Sequence, residues 1–196
     1  MELREQRFGI EIEMTGITRA GAAKVAATYF GTRSEYVGTY YQTYAAVDQE
    51  GRQWKFMSDG SIRAEKKVNG EKRAAGAVYR TEMVSPICRY EDIEKIQELI
   101  RELKKKGAIV NESCGIHVHI DASPFDAGKL RNLTNIMAAK EDLIYKALGV
   151  SVERQHRWCR PVEERFLEEL NRRRPTSMEA VEEIWYNGRS RRGQHY

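Results

Sequence analysis

The 196-residue chain lacks an apolar run long enough to cross a bilayer, since a membrane-spanning helix needs about 20 consecutive apolar residues. Its first seven residues, Met-Glu-Leu-Arg-Glu-Gln-Arg, also lack the apolar core of a signal peptide. These absences argue against a membrane-spanning or exported protein. We therefore expect a cytoplasmic protein with no membrane partner.

Cysteine is scarce, with three residues that follow no disulfide pattern. An odd number of unpatterned cysteines fits reduced thiols better than a disulfide framework. Cys114, His117 and His119 superficially resemble zinc ligands. However, side chains alternate along a strand, which places Cys114 on the opposite face from both histidines, and no further Cys-x-x-Cys pair completes the ligand set. A structural zinc is not expected.

The sequence also has no strong excess of one charge, because 33 basic residues are opposed by 29 acidic ones. This balance creates no field that would draw the protein to nucleic acid. The basic clusters at residues 172–174 and 189–192 are typical of solvated helix ends or tails. Nucleic acid is therefore not an expected partner.

Two short stretches alternate strictly between apolar and ligand-type side chains, residues 9–14 (Gly-Ile-Glu-Ile-Glu-Met) and residues 115–121 (Gly-Ile-His-Val-His-Ile-Asp). Each stretch predicts a strand with one buried face, because strand side chains point to opposite faces in turn. The side chains expected to face a core are Ile10, Ile12, Met14, Ile116, Val118 and Ile120. The opposite faces carry Glu11, Glu13, His117, His119 and Asp121.

The paired charges on these faces favour a metal-dependent site, because a divalent cation is the simplest compensation for neighbouring carboxylates. Glu11 and Glu13 alone would suit the solvated face of an antiparallel sheet. A solvated face does not account for two of the four histidines sharing one face.

The spacing of the two glutamates suits two cations, because strand positions i and i+2 lie about 7 Å apart. Two carboxylates can thus hold two cations, the arrangement that clamps a triphosphate. Mg²⁺ suits oxygen ligands, and histidine also accepts Mn²⁺.

The remaining pattern predicts an α+β fold. Helices are expected over residues 18–30, 90–106, 126–148, 152–171 and 177–185, a β-hairpin over residues 35–61, and a strand over residues 77–86. Residues 66–76 are polar and contain glycine, and they predict a mobile loop. We expect a mostly antiparallel sheet with helices on one face. The catalytic part would cover residues 1–149, and a helical, Arg-rich segment of the same domain would cover residues 150–196.

Four motifs, in this order, resemble the putative amidoligase family, which belongs to the carboxylate–amine ligase superfamily of glutamine synthetase and glutamate–cysteine ligase. They are Phe-Gly-Ile-Glu-Ile-Glu-Met from residue 8, Asp-Gly-Ser from residue 59, Thr-Glu-Met-Val-Ser-Pro from residue 81 and Cys-Gly-Ile-His-Val-His-Ile-Asp from residue 114. The resemblance covers about residues 8 to 121. It implies a curved antiparallel sheet with a glutamine-synthetase-like open active-site face.

The resemblance also implies an activity, the ATP- and Mg²⁺-dependent joining of a carboxylate and an amine, of small molecules or peptides, through an acyl phosphate. The implied metal ligands are Glu11, Glu13, Glu82 and His117, of which Glu13 and His117 also hold ATP. His119 is implied as a contact to these ligands or to substrate, and Asp59 and Ser61 as the substrate rim. Arg80 is expected to bind the nucleotide and assist phosphoryl transfer, unless it forms a structural ion pair with Glu82.

Two alternatives stay open at this point. The same ligands suit a metal-dependent hydrolase of amides or phosphoesters, which needs no nucleotide. An inactive module that binds a peptide or partner on the polar sheet face is the other alternative.

The end of the sequence favours the inactive module somewhat. Members of the family continue into strands with a Glu-Phe-Arg-like motif, whereas this sequence ends at Gly-Gln-His-Tyr, and the final segment, residues 187–196, has no apolar periodicity. We therefore expect a truncated sheet with an uncovered edge. Such an edge favours a homo-oligomer or a partner segment.

Overall fold

A computed structural model describes residues 2–186 of the chain. The chain divides into two compact units, Met1–Asp121 and Ala122–Tyr196. The division into a catalytic part over residues 1–149 and a helical segment over residues 150–196 stays a prediction. The fold is α+β, as predicted. Within the described range, no helix combines the length and apolar character needed to cross a membrane. The predictions for residues 187–196 lie outside the described residues.

The first unit is built on an antiparallel sheet. Its strands are β1 (Phe8–Met14), β2 (Ser34–Gly38), β3 (Thr43–Val47), β4 (Gln53–Met57), β5 (Glu65–Val68), β6 (Glu71–Ala74), β7 (Thr81–Val84) and β8 (Ile116–Ile120), and its helices are α1 (Arg19–Phe30) and α2 (Asp92–Lys105). Six strands form one sheet in the order β2-β3-β4-β7-β1-β8, with antiparallel pairing throughout. β5 and β6 form a separate hairpin.

Helix α1 packs closely on the sheet because its buried face consists of small residues. The Thr18 side chain caps its first turn by accepting a hydrogen bond from the Gly21 N–H, and Gly31 ends it in the left-handed conformation with φ of 69°. The buried helix face includes Ala22, Ala23, Ala26, Ala27 and Phe30. These side chains share one core with Trp54 and Phe56 of β4. α2 adds Ile96, Leu99 and Leu103 to the same core, as its predicted amphipathic pattern requires.

Three local predictions differ from the structure. Residues 35–61 belong to three strands rather than one hairpin, and the segment predicted as a mobile loop at residues 66–76 forms most of the β5–β6 hairpin. Asn69 and Gly70, with φ of 52° and 87°, supply the left-handed turn that this hairpin needs. The strand predicted over residues 77–86 begins only at Thr81, because a 3₁₀ turn occupies Ala77–Tyr79.

The apolar side chains of β8 are another exception. Ile116, Val118 and Ile120 were expected in a core, but they are 66%, 57% and 50% exposed. They share a face with the core side of β1, since Val118 lies opposite Ile10. However, β8 is the outermost strand, whereas α1 packs on β2, β3, β4 and β7. The alternating pattern predicted the strand and its two faces correctly. It did not indicate which strands of the sheet α1 covers.

The second unit is helical, as predicted. It contains α3 (Ala127–Leu148), α4 (Val152–Arg157), α5 (Glu164–Arg173) and α6 (Met178–Tyr186). A small core joins Ala127, Leu170, Val181 and Ile184. The single helix predicted over residues 152–171 is wrong, because the chain leaves helical conformation between α4 and α5. Pro161 lies in this break, and proline neither donates an N–H nor lets the preceding residue stay helical at low cost.

Candidate active site

The pairing of β1 with its neighbours determines which ligand-type side chains share a face. Glu13 lies opposite Glu82 of β7, and Glu11 lies opposite His117 of β8. Directly opposed residues in antiparallel strands project to the same side, and His119 follows His117 by two residues. All five side chains therefore lie on the sheet face opposite α1 and α2. The common face predicted from the sequence is confirmed.

Three carboxylates on this face come close enough to share one cation. Glu13, Asp59 and Glu82 each place an oxygen within 4.8 Å of the others, and we call them the carboxylate group. Glu13 is only 5% exposed. Asp59 joins the group because it follows the end of β4, where Met57 is paired with Glu82. Asp59 was expected at the substrate rim, and the structure places it directly beside the predicted metal ligands.

Hydrogen bonds hold two members of the carboxylate group in place. The Gly115 N–H donates to one oxygen of Glu13 at 2.6 Å, and the Ser61 hydroxyl donates to the other at 3.5 Å. The Ser61 N–H donates to the Asp59 carboxylate at 2.6 Å, as in a turn stabilised by an aspartate side chain. Glu13 and Asp59 are therefore held in place, and Ser61, which was predicted to border the substrate, donates to both.

The histidines stand beside the carboxylate group. His117 lies between two glutamates, with Nδ1 at 3.7 Å from Glu11 and Nε2 at 3.9 Å from Glu13. His119 Nε2 lies 3.4 Å from Glu11. Both imidazoles have more than half of their side-chain surface exposed. Glu11, His117 and His119 thus form a second set of possible ligands next to the first.

The electrostatics of the carboxylate group also fit a cation. Burial is the largest reason that the pKa of Glu82 is raised to about 7. The further causes are nearby negative charges, those of Glu11, Asp59 and Glu13. Burial and the neighbouring negative charges together disfavour the ionised form of Glu82. Hard oxygen donors of this kind are the ligands that Mg²⁺ and Mn²⁺ prefer, so the donor set fits a divalent cation.

Arg80 lies between the 3₁₀ turn and β7, close in sequence to Glu82. Its buried Nε has no hydrogen-bond partner among the described residues, and Arg80 is not among the groups that shift the pKa of Glu82. Within that range the structure gives no sign of the structural ion pair considered from the sequence. The expected role of Arg80 toward a nucleotide stays a prediction.

Sequence reasoning missed two groups that shape the site. The first is the Gly115 N–H, a backbone donor with no signal in residue type. The second is Arg19, which is 4% exposed and donates to the carbonyl oxygens of Ala77 and Arg80. A positive charge at the first position of α1 opposes the helix dipole. This unfavourable placement was the one feature of the sequence that could have indicated a specific structural role for Arg19.

The raised pKa of Glu82 predicts an unusual pH dependence of stability in EDTA. The unfolded chain has the ordinary pKa of 4.5, so the stability that protonated Glu82 contributes is present below pH 4.5 and is lost as pH rises through about 7. Glu82→Gln cannot ionise, so the variant does not lose this stability as the pH rises. We expect the variant to match the wild type at pH 4.5 and to exceed its unfolding free energy at pH 8 by on the order of 1 kcal/mol, with solvent screening allowed for.

Urea unfolding at the two pH values measures this difference. Glu94→Gln, an exposed glutamate of α2, is the matched control and should show no such trend. Equal stabilities of Glu82→Gln and wild type at pH 8 would contradict the electrostatic description of the site.

Comparison with known protein families identifies a family that the chain matches. A family model described as "putative amidoligase enzyme" matches residues 4–196, which is nearly the whole chain. No curated protein matches the chain, and no solved structure does. The matched range includes the carboxylate group, both histidines and the helical second unit.

Proposed function

The chain belongs to the putative amidoligase family, and on this premise we propose that it is an ATP- and Mg²⁺-dependent carboxylate–amine ligase. Its substrates would be a carboxylate and an amine, of small molecules or peptides, and its product an amide. The observation that supports this proposal most is the carboxylate group itself. Three acidic oxygens within 4.8 Å of one another, on an open sheet face, suit the binding of a metal–triphosphate complex.

The two sets of possible ligands would hold two different cations. Glu13, Asp59 and Glu82 would hold one cation, and Glu11 with His117 would supply ligands for a second. Bound Mg²⁺, or Mn²⁺ in its place, neutralises the triphosphate and spreads the charge of the transferred phosphoryl group. The hydrogen bonds that fix Glu13 and Asp59 lower the cost of ordering these ligands when the nucleotide arrives.

The remaining site residues would act on the reacting groups. In the first step a substrate carboxylate oxygen attacks the γ-phosphorus, and ADP leaves. In the second step the amine nitrogen attacks the acyl carbon, phosphate leaves and the nitrogen loses a proton. Arg80 would bind a phosphoryl oxygen through its guanidinium group. His119 and Ser61 would contact the substrates at the rim of the site.

Product analysis in the presence of ATP tests the proposal. The protein is incubated with ATP and a panel of carboxylates and amines, with Mg²⁺ or with EDTA, and ADP and amide are measured by mass spectrometry. We expect equal amounts of ADP and amide, only when Mg²⁺ and both substrates are present. Glu13→Gln should lower the rate by about 10²–10³-fold, as expected when a group that stabilises developing charge is lost, and Glu94→Gln should not.

Two other results would point elsewhere. Cleavage of an amide or phosphoester without ATP would indicate the hydrolase alternative. Metal binding without any turnover across the panel would indicate the binding-module alternative.

A further inference from the structure

The turn between β2 and β3 presents two tyrosine rings to solvent. We call residues 38–42 the tyrosine loop. Tyr40 is 94% exposed and Tyr41 is 50% exposed, and their rings meet edge to face with centroids 5.4 Å apart. Isolated exposed aromatic residues are ordinary, but a pair held in a fixed mutual geometry offers a prepared apolar surface.

The backbone of the tyrosine loop is strained. Thr39 and Gln42, on either side of the two tyrosines, have φ of 75° and 50°. Left-handed backbone is costly for any residue with a Cβ and most costly for a β-branched residue such as threonine. The Thr39 and Thr43 hydroxyl groups share a hydrogen bond of 2.8 Å that holds this conformation. Strain of this kind persists where the surrounding structure enforces it, and it is concentrated at ligand-binding segments.

Two contacts tie the tyrosine loop to segments that carry candidate site residues. The Tyr41 carbonyl oxygen accepts a hydrogen bond of 2.9 Å from the N–H of Ser58, the residue before Asp59. The buried Arg19 guanidinium donates to the Gln42 side chain and also to the Arg80 carbonyl oxygen. The loop is therefore anchored to the segments that carry Asp59 and Arg80, and its position is set relative to them.

The sheet order gives the distance between the loop and the site. β3 is separated from β7 by one strand, β4, and the loop leaves β3 at the end of the sheet where β7 begins. Neighbouring strands lie about 4.8 Å apart, so the loop backbone is about 10 Å from Glu82. An extended nucleoside triphosphate covers a comparable distance between its terminal phosphate and its base.

From these observations we propose that the tyrosine loop binds the base of the nucleotide, an inference that rests on the proposed ligase function. The rings of Tyr40 and Tyr41 supply the stacking surface, and Arg19 is a positioning residue that fixes the loop. The loop, Gly-Thr-Tyr-Tyr-Gln, carries no formal charge, and the faces of its tyrosine rings suit the face of a planar aromatic base. Stacking of a base on an aromatic side chain gives the loop a direct contribution to affinity.

Calorimetric titration with two probes tests this inference. The probes are a non-hydrolysable ATP analogue and inorganic tripolyphosphate, each with Mg²⁺, so that only the first carries a base. The double variant Tyr40→Ala/Tyr41→Ala should bind the analogue at least about 10-fold more weakly than the wild type, because two stacking rings are lost. Its affinity for tripolyphosphate should stay unchanged. Tyr40→Phe/Tyr41→Phe should retain the analogue, since the ring faces remain.

The controls separate failure of this inference from failure of the proposed function. Tyr90→Ala removes a tyrosine that is 45% exposed just before α2, and it should bind both probes as the wild type does. Unchanged affinity of the double alanine variant for the analogue, or an equal loss for both probes, would overturn the inference and leave the ligase proposal standing. A wild-type protein that binds neither probe would overturn both.

Discussion

A Mg²⁺ complex of a non-hydrolysable ATP analogue, at a hundredfold excess over its dissociation constant, is expected to stabilise the wild-type protein by about 2.7 kcal/mol. For a chain of this length that corresponds to a rise in melting temperature of about 5–10 °C. Glu13→Gln should abolish the rise. Glu13 is the most buried acid of the carboxylate group, and the substitution removes its charge while keeping an oxygen that can accept the Gly115 N–H.

This experiment needs a variant that is folded, and Glu13→Gln meets the requirement for a physical reason. Removing one of three crowded negative charges relieves repulsion in the metal-free protein, so its own melting temperature should not fall. Glu94→Gln is the matched control and should keep the full rise. A melting temperature of Glu13→Gln that rises with ligand as much as that of the wild type would contradict the assignment of the site.

Replacing Arg52 with methionine is expected to cost about 3–5 kcal/mol of unfolding free energy, because it removes the guanidinium group that pairs with two buried carboxylates, Asp48 and Asp92. Arg52 donates to Asp48 at 2.9 Å and to both oxygens of Asp92 at 2.7 and 2.8 Å. The Asp48 side chain is fully buried and that of Asp92 is 9% exposed. The Arg52 side chain therefore joins the β3–β4 turn to the beginning of α2.

The pH dependence gives the Arg52 prediction a second readout. Hydrogen bonds from Arg52 hold the pKa of Asp92 well below its usual range. Burial acts to raise the pKa of Asp48, but hydrogen bonds from Trp54 and Arg52 outweigh it and leave that pKa lowered. The stability gained from such depressed carboxylates is present above the unfolded pKa of 3.8 and is lost as pH falls through the folded values. Arg52→Met should therefore differ most from the wild type near neutral pH and less in acid.

Denaturant unfolding across this pH range measures the effect. Arg73→Met is the matched control, because Arg73 forms an ion pair with Glu71 on the exposed surface, where such pairs contribute little. Equal losses for Arg52→Met and Arg73→Met would show that burial of the aspartates does not determine the cost.

The sheet face of the site was predictable from the sequence because strand periodicity is a local property. Alternation along residues 9–14 and 115–121 assigned Glu11, Glu13, His117 and His119 to one face, and the register confirms it. The carboxylate group was harder to predict from the sequence. Asp59 joins Glu13 and Glu82 only because β4 ends beside β7, and no local pattern specifies which strands are neighbours.

The errors in the fold also have non-local or context-dependent causes. Ile116, Val118 and Ile120 alternate as buried residues do, but their exposure depends on which strands the helices cover. Residues 66–76 have the polar composition of a loop, whereas the Asn69–Gly70 turn allows cross-strand pairing that composition alone does not favour. The break between α4 and α5 was easier to predict from the sequence, because Pro161 lies where a continuous helix was predicted.

The central claim is that Glu13, Asp59 and Glu82 together bind a divalent cation, and direct titration with Mn²⁺ monitored by electron paramagnetic resonance tests it most directly. The protein as purified in EDTA and then desalted is titrated, together with Asp59→Asn and Glu94→Gln. We expect Asp59→Asn to bind Mn²⁺ about 10- to 100-fold more weakly than the wild type, a loss of the size seen when a metal site is perturbed, and Glu94→Gln to bind as the wild type does. Wild-type affinity in Asp59→Asn, or no Mn²⁺ binding by the wild type, would contradict the claim.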